Sequence, residues 1–450
     1  MFGASPIFLP RCSQMTRMQT VTRLKDRIPL FVWFFTLSAL LFLGASENER
    51  DDFRSDILSF YGDQKITADS LTSDSFLVTL TCKTAQSTQI PSKYSIVLRG
   101  LDAVEKALLQ DAQFGKWERF DLFRAAMIVE GIRDPELIRI YEARLNALVA
   151  KTLDTARAEG NTSPKAVTQL LFEAMHRELL TKPYDLHCTE LSKVMATGHF
   201  NCVSATVLFN CLAEKAGLDV CALETPGHAL SQVRFDDGVV MNIETTSPIW
   251  FKLQTDKERQ MAMRERVATP VPAQTNPLMA QNAVAPPEVA ALPEPTVAGF
   301  REINPVQLIA TIYYNEGVDL HAKKRYPEAV AANVKALYLD KENGQAWTNL
   351  IASLNNWALE LMKESGGQKY YAASAILDQG VVIDPTYTDF KSNQQCVFYY
   401  WIRGLAEKGQ FDTARQVYDH SQERLPADES LQKLISKVNQ MEAEIMQQRR

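Results

Sequence analysis

Residues Asn201–Thr246 read NCVSATVLFNCLAEKAGLDVCALETPGHALSQVRFDDGVVMNIETT. Asn201 is a strong helix N-cap type, and an apolar run starts behind it. The spacing predicts a helix from Val203 to about Ala216, ended by Gly217 at the C-cap. After Gly217 the period changes from 3.6 to 2. Val220 to Leu223, Ala229 to Phe235 and Val239 to Glu244 read as strands, and Asp236-Asp237-Gly238 reads as the turn of a hairpin. A helix followed by antiparallel strands predicts an α+β domain.

Three residues of this stretch suggest chemistry. Cys202 falls in the first turn of the helix, where the dipole favours a thiolate. By itself it is equally a small buried side chain. His228 opens the first strand of the hairpin. With a three-residue loop and Gly238 in the left-handed position, Phe235 pairs with Val239, Leu230 with Glu244 and His228 with Thr246. His228 and Glu244 are then diagonal neighbours on one face, with Asn242 opposite Gln232 on that face too. A two-residue loop would put His228 and Glu244 on opposite faces. Nucleophile, base and orienting acid is the logic of a catalytic triad.

A Cys at a helix start, a Gly-Leu helix end, a strand, Pro226-Gly227-His228-Ala229, and a strand ending in an acid before x-Thr resemble the transglutaminase-like superfamily over about residues 165–250. The resemblance implies an α+β, papain-like domain with the Cys helix on an antiparallel sheet. It implies Cys202 as nucleophile, His228 as base and Glu244 as the acid that orients it. Glu244 stands where the family usually has Asp. Val203 and Leu230 stand where it often has aromatics. Some relatives have lost the Cys and act without catalysis.

Other Cys and His residues are read as packing. His176 lies on a helix that Ser163-Pro164 starts, with Val167, Leu170, Leu171, Ala174 and Met175 as its apolar stripe. Cys211 and Cys221 fall on apolar elements. His187, Cys188, His199 and Cys202 can be drawn as a zinc site, but the spacing matches no metal motif.

Outward from this domain, residues 163–265, the chain changes character. Residues 47–162 read as mostly helical, with Asp102–Gln110 and Arg119–Leu148 at helical spacing and Ser70–Leu80 as strand or loop. Residues 266–300 contain Pro270, Pro272, Pro277, Pro286, Pro287, Pro293 and Pro295, which predicts an extended linker. In residues 301–430, Tyr313, Gly317, Ala329 and Ala336, then Trp347, Leu350, Ala373 and Pro385, then Phe398, Ala414, Tyr418 and Pro426 recur as in a helix-turn-helix repeat of about 34 residues. This resembles the tetratricopeptide repeat, with Lys341 where the family has Pro, and implies an all-α array that binds a protein partner. Residues 431–450 read as a terminal helix.

Residues Ile28–Ala45, IPLFVWFFTLSALLFLGA, form an uncharged apolar run. About eighteen residues lie between a signal peptide and a full span. The basic flank (Arg11, Arg17, Arg23, Lys25, Arg27) is expected to stay inside and the acidic flank to leave. Residues 1–46 therefore read as a leader with a signal or anchor helix. The bulk of the chain is then expected in the periplasm or its equivalent, held by the inner membrane, or secreted if cut after Ser46. Lys+Arg is 48 and Asp+Glu 54, a net charge of −6, which argues against a nucleic-acid partner. No phosphate loop or dinucleotide fingerprint is present. The expectation is a membrane-anchored cysteine enzyme acting on protein or peptide amides without a cofactor. The alternative is a non-catalytic envelope scaffold in which both domains bind partners.

Overall fold

The computed structural model describes residues 58–61, 76–81, 93–225, 227–252, 299–364 and 366–448. The apolar run at 28–45 and residues 266–298 of the proline-rich stretch lie outside the described residues. Among the described residues, no helix is long and apolar enough to cross a membrane. The chain is mixed α+β and mostly helical, with two compact units.

One unit holds the described residues of 76–81 and 100–350. Its sheet has the order β6-β5-β4-β7, with β4 Asp219–Thr225, β5 His228–Arg234, β6 Val240–Ile243 and β7 Arg301–Ile303, each pair antiparallel. Against it lies α6, Cys202–Lys215. Every residue of α6 from Cys202 to Ala213 is buried, so it is a core helix rather than an amphipathic one. Around α6 stand α2 (Leu122–Val129), α3 (Pro135–Ala158), α4 (Pro164–Glu178) and α5 (Leu191–Thr197). Helix α1, Ala103–Asp111, packs on α2.

The helix starts follow from local chemistry. Asp102, Asp121, Asp134 and Ser163 each accept a first-turn N–H of the helix they precede, and Pro135 and Pro164 occupy the first helical position. Helix α5 has no such cap of its own. Glu130, just past α2, accepts the N–H groups of Leu191 and Ser192 at 2.5 and 2.8 Å instead.

The same unit includes the first helical hairpin, α7 (Pro305–Ala322) and α8 (Tyr326–Leu339). Strand β7 leads into it, and Arg301 ties the join by pairing with Glu224 of β4 at 2.6 Å and with buried Asp340 at the end of α8. In α7, Tyr313 donates to Glu105 of α1 at 2.6 Å, and Lys335 of α8 meets the same carboxylate at 2.7 Å. The hairpin therefore shares a core with the sheet domain.

The other unit holds 58–61, 93–99 and residues from 351 onward. Strands β1 (Leu58–Tyr61) and β3 (Lys93–Leu98) pair antiparallel. With β2, Phe76–Thr81, they add strands to a region expected to be mostly helical. Helix α9 is Gly344–Lys363, and α10 (Gly367–Ile383), α11 (Thr388–Glu407), α12 (Phe411–Gln422) and α13 (Glu429–Gln448) follow. Among the expected repeat positions, Ala373 and Ala414 are fully buried. Gly380 of α10 marks a close approach: a Cβ there would meet the Phe390 ring of α11 at 2.5 Å.

Candidate active site

Asn201 begins the site. Its side chain accepts Ser204 N–H, and the Ser204 hydroxyl accepts Asn201 N–H, each at 3.0 Å, so α6 starts with a closed capping box. The Asn201 amide also donates to the Thr189 hydroxyl at 2.7 Å and to the Leu186 carbonyl at 3.0 Å. Such a cap contributes about 1 kcal/mol and fixes the direction in which Cys202 leaves the helix.

His228 reaches Cys202 from β5. The pairs Ser231–Ile243, Gln232–Asn242, Val233–Met241 and Arg234–Val240 set the register, and Gly238 is left-handed at φ 78°. This is the three-residue-loop register, so His228 and Glu244 share a face. Nε2 of His228 lies 2.7 Å from Oε2 of Glu244. The Cys202 thiol lies beside the ring and, with Glu244, helps to hold it charged.

Glu244 is longer than the Asp usual in the resembling family, and its second oxygen explains how it fits. Oε1 accepts the Thr246 N–H at 3.0 Å and the Thr246 hydroxyl, which bends the carboxylate back and aims Oε2 at the ring. Thr245 beside it is buried and bonds Thr206 of α6 at 3.0 Å. Glu244 itself is 1% exposed.

Burial opposes charge on all three groups, and their mutual contacts override it. For Cys202 the penalty of burial is outweighed by the hydrogen bond and charge of His228, the Ala229 N–H and the Tyr184 hydroxyl, and the thiol pKa is lowered. Burial pushes His228 down, but Cys202 and Glu244 raise it to about 10. Glu244 is lowered, because His228 and Thr246 outweigh its burial. The arrangement favours a thiolate–imidazolium pair backed by a carboxylate.

The other described thiols differ. Burial raises Cys211 well above the usual value and Cys221 to about 11, and it raises Cys188 as well. All five described cysteines are free. The residues of the drawn zinc site have separate partners: His187 faces Asp319 at 3.2 Å, Cys188 donates to Asp185, His199 faces the Pro183 carbonyl and Cys202 faces His228. Among the described residues no three His, Cys, Asp or Glu side chains cluster as a metal site.

His176 of α4, read as a surface or packing residue, packs: its ring meets the Phe172 ring at 4.6 Å, and burial holds it down to about 4, so it is neutral. Tyr184 escaped the sequence reading. Tyr184 lies in an irregular segment, and no periodicity points from it to Cys202. Comparison with family models, with curated proteins and with solved structures gave no match.

Proposed function

We propose that the chain is a transglutaminase-like cysteine enzyme that transfers or hydrolyses acyl groups of protein or peptide amides. The observation that carries this reading is His228 set between the lowered thiol of Cys202 and the buried carboxylate of Glu244. The Cys202 thiolate attacks the amide carbonyl carbon, forming the C–S bond as the carbonyl electrons move to oxygen. His228 gives its proton to the departing amine, and the C–N bond breaks to leave a thioester. His228 then takes a proton from water or an amine, which attacks the thioester and expels Cys202. Glu244 stays ionised throughout and stabilises the imidazolium. No cofactor enters these steps.

The helical repeats complete the proposal as a tetratricopeptide-type partner-binding domain. The apolar run at 28–45 makes the protein an anchored or exported component of a cell envelope. Selective alkylation tests the enzyme reading. Cys202 is expected to react with iodoacetamide at neutral pH far faster than Cys211 and Cys221, and His228→Ala is expected to slow that reaction strongly. Equal reactivity of the three thiols would leave the scaffold alternative.

A further inference from the structure

The capping box that aims Cys202 is itself held from outside the helix. Residues 185–189 form a short clasp on it. Asp185 N–H donates to the Phe200 carbonyl at 2.8 Å, and the Ser204 hydroxyl donates to the Cys188 carbonyl at 2.6 Å. The Asn201 amide donates to the Leu186 carbonyl at 3.0 Å and to the Thr189 hydroxyl at 2.7 Å. Its oxygen accepts Ser204 N–H, so both ends of this side chain are engaged and its orientation is fixed. Asn201, Ser204 and Thr189 are all buried.

The first helical hairpin fixes the far side of the clasp. The Asn315 amide of α7 donates to the same Thr189 hydroxyl at 3.3 Å, and one turn further on Asp319 faces His187 at 3.2 Å. The two ties differ in kind. The His187 and Asp319 side chains are 66% and 39% exposed, and a surface pair of this sort contributes little. Thr189 is buried, and its oxygen accepts from two amides, one on α7 and one on the residue before Cys202. A chain of neutral hydrogen bonds therefore runs from Asn315 through Thr189 to Asn201.

We propose that Asn315 is a positioning residue for the nucleophile: by holding the Thr189 hydroxyl it fixes the Asn201 amide, and with it the first turn of α6 from which Cys202 meets His228. It touches no reacting atom. The first helical hairpin then belongs to the working enzyme and not only to a partner-binding array. This rests on the cysteine-enzyme reading above.

Alkylation of Cys202 by iodoacetamide, followed against pH in the full chain, tests it. Asn315→Leu keeps the bulk and loses the donor. Misplacement arising far from the chemistry can cost up to about 10²-fold, and this variant is expected to slow alkylation at neutral pH by about 10-fold and to move the midpoint of the pH profile up. Thr189→Val is expected to do at least as much, and Thr189→Ser, which keeps the hydroxyl, to restore the rate. Because the two residues act in one chain, Asn315→Leu is expected to cost nothing further once Thr189→Val is in place. Asp319→Asn loosens only the exposed tie and is expected to change the rate by less than about twofold. Losses that multiply in the double variant would overturn the proposal, as would an equal loss from Asp319→Asn. Exposure of Cys211 to the reagent in Asn315→Leu would overturn it too, since Asn315 would then only hold the fold. If Cys202 of the unmodified chain reacts no faster than Cys211, the cysteine-enzyme reading falls and takes this proposal with it. A reactive Cys202 indifferent to Asn315→Leu overturns this proposal alone.

Discussion

His228 and Glu244 meet at 2.7 Å although neither lies within the other's strand, because the three-residue turn of the hairpin puts them on one face. The carboxylate is nearly sealed from water and holds the ring in one orientation, with its remaining oxygen tied to Thr246. Removing its charge tests the contact. Glu244→Gln keeps the shape and is expected to lower acylation of Cys202 by roughly 10²-fold to 10⁴-fold, the range of wrong-tautomer effects in triads. Single-turnover acetylation measures it. Cys202→Ala is expected to abolish the reaction. A Glu244→Gln variant within twofold of the unmodified chain would show that the carboxylate only packs.

The coupled thiol and imidazole set the pH dependence. Cys202 is lowered and His228 raised to about 10, so a window for the thiolate–imidazolium form opens between the two. Alkylation of Cys202 is expected to fall only as pH drops through the lowered thiol pKa. Acyl transfer from an amide, which also needs the imidazolium proton, is expected to fall again near pH 10. A single alkaline rise centred near the ordinary thiol value would contradict the pairing.

One largely buried carboxyl predicts a stability change near neutrality. Burial raises Glu130 from 4.5 to about 7. It binds its proton more tightly folded than unfolded. Its contribution is therefore complete below the unfolded value and is lost as pH rises through about 7. The denaturant midpoint is expected to decline over that window. Glu130→Gln should flatten the decline, because the amide oxygen still accepts from the start of α5 without titrating.

Helix contact is tight at Gly380. Its missing Cβ makes room for the fully buried Phe390 ring. Gly380→Ala has the better intrinsic helix propensity, yet it is expected to destabilise by about 1–3 kcal/mol through overpacking. Chemical denaturation of the variant measures this. A stabilised variant would mean that the ring yields easily.

The proposed localisation rests on the charge around Ile28–Ala45. A phosphatase that works only when exported, fused after Phe60, is expected to be active, and a cytoplasmic reporter at the same point to be dark. Carbonate washing then separates an anchor, which stays with the membrane, from a cleaved signal. An inactive phosphatase fusion would place the triad in the cytoplasm.

The helix–strand–hairpin core was legible because its signals are local. Asn201 caps, Gly217 stops, and Asp236-Asp237-Gly238 turns without help from distant residues. The register followed once the loop length was chosen, and it made neighbours of His228 and Glu244. The repeat positions Ala329, Ala373 and Ala414 were legible for a similar reason, since close helix approach demands small side chains at fixed spacing. Strand β3 was missed although Tyr94, Ile96 and Leu98 alternate, because helical periodicity dominates the surrounding region. Tertiary packing decided the rest. Tyr184 comes to the start of α6 because its segment is bridged to Phe200, and His176 meets the Phe200 ring only across the core. The first helical hairpin joins the sheet domain because β7 completes the sheet and Arg301 finds Glu224 and Asp340. Those contacts join residues far apart in the chain, where neither periodicity nor capping carries information.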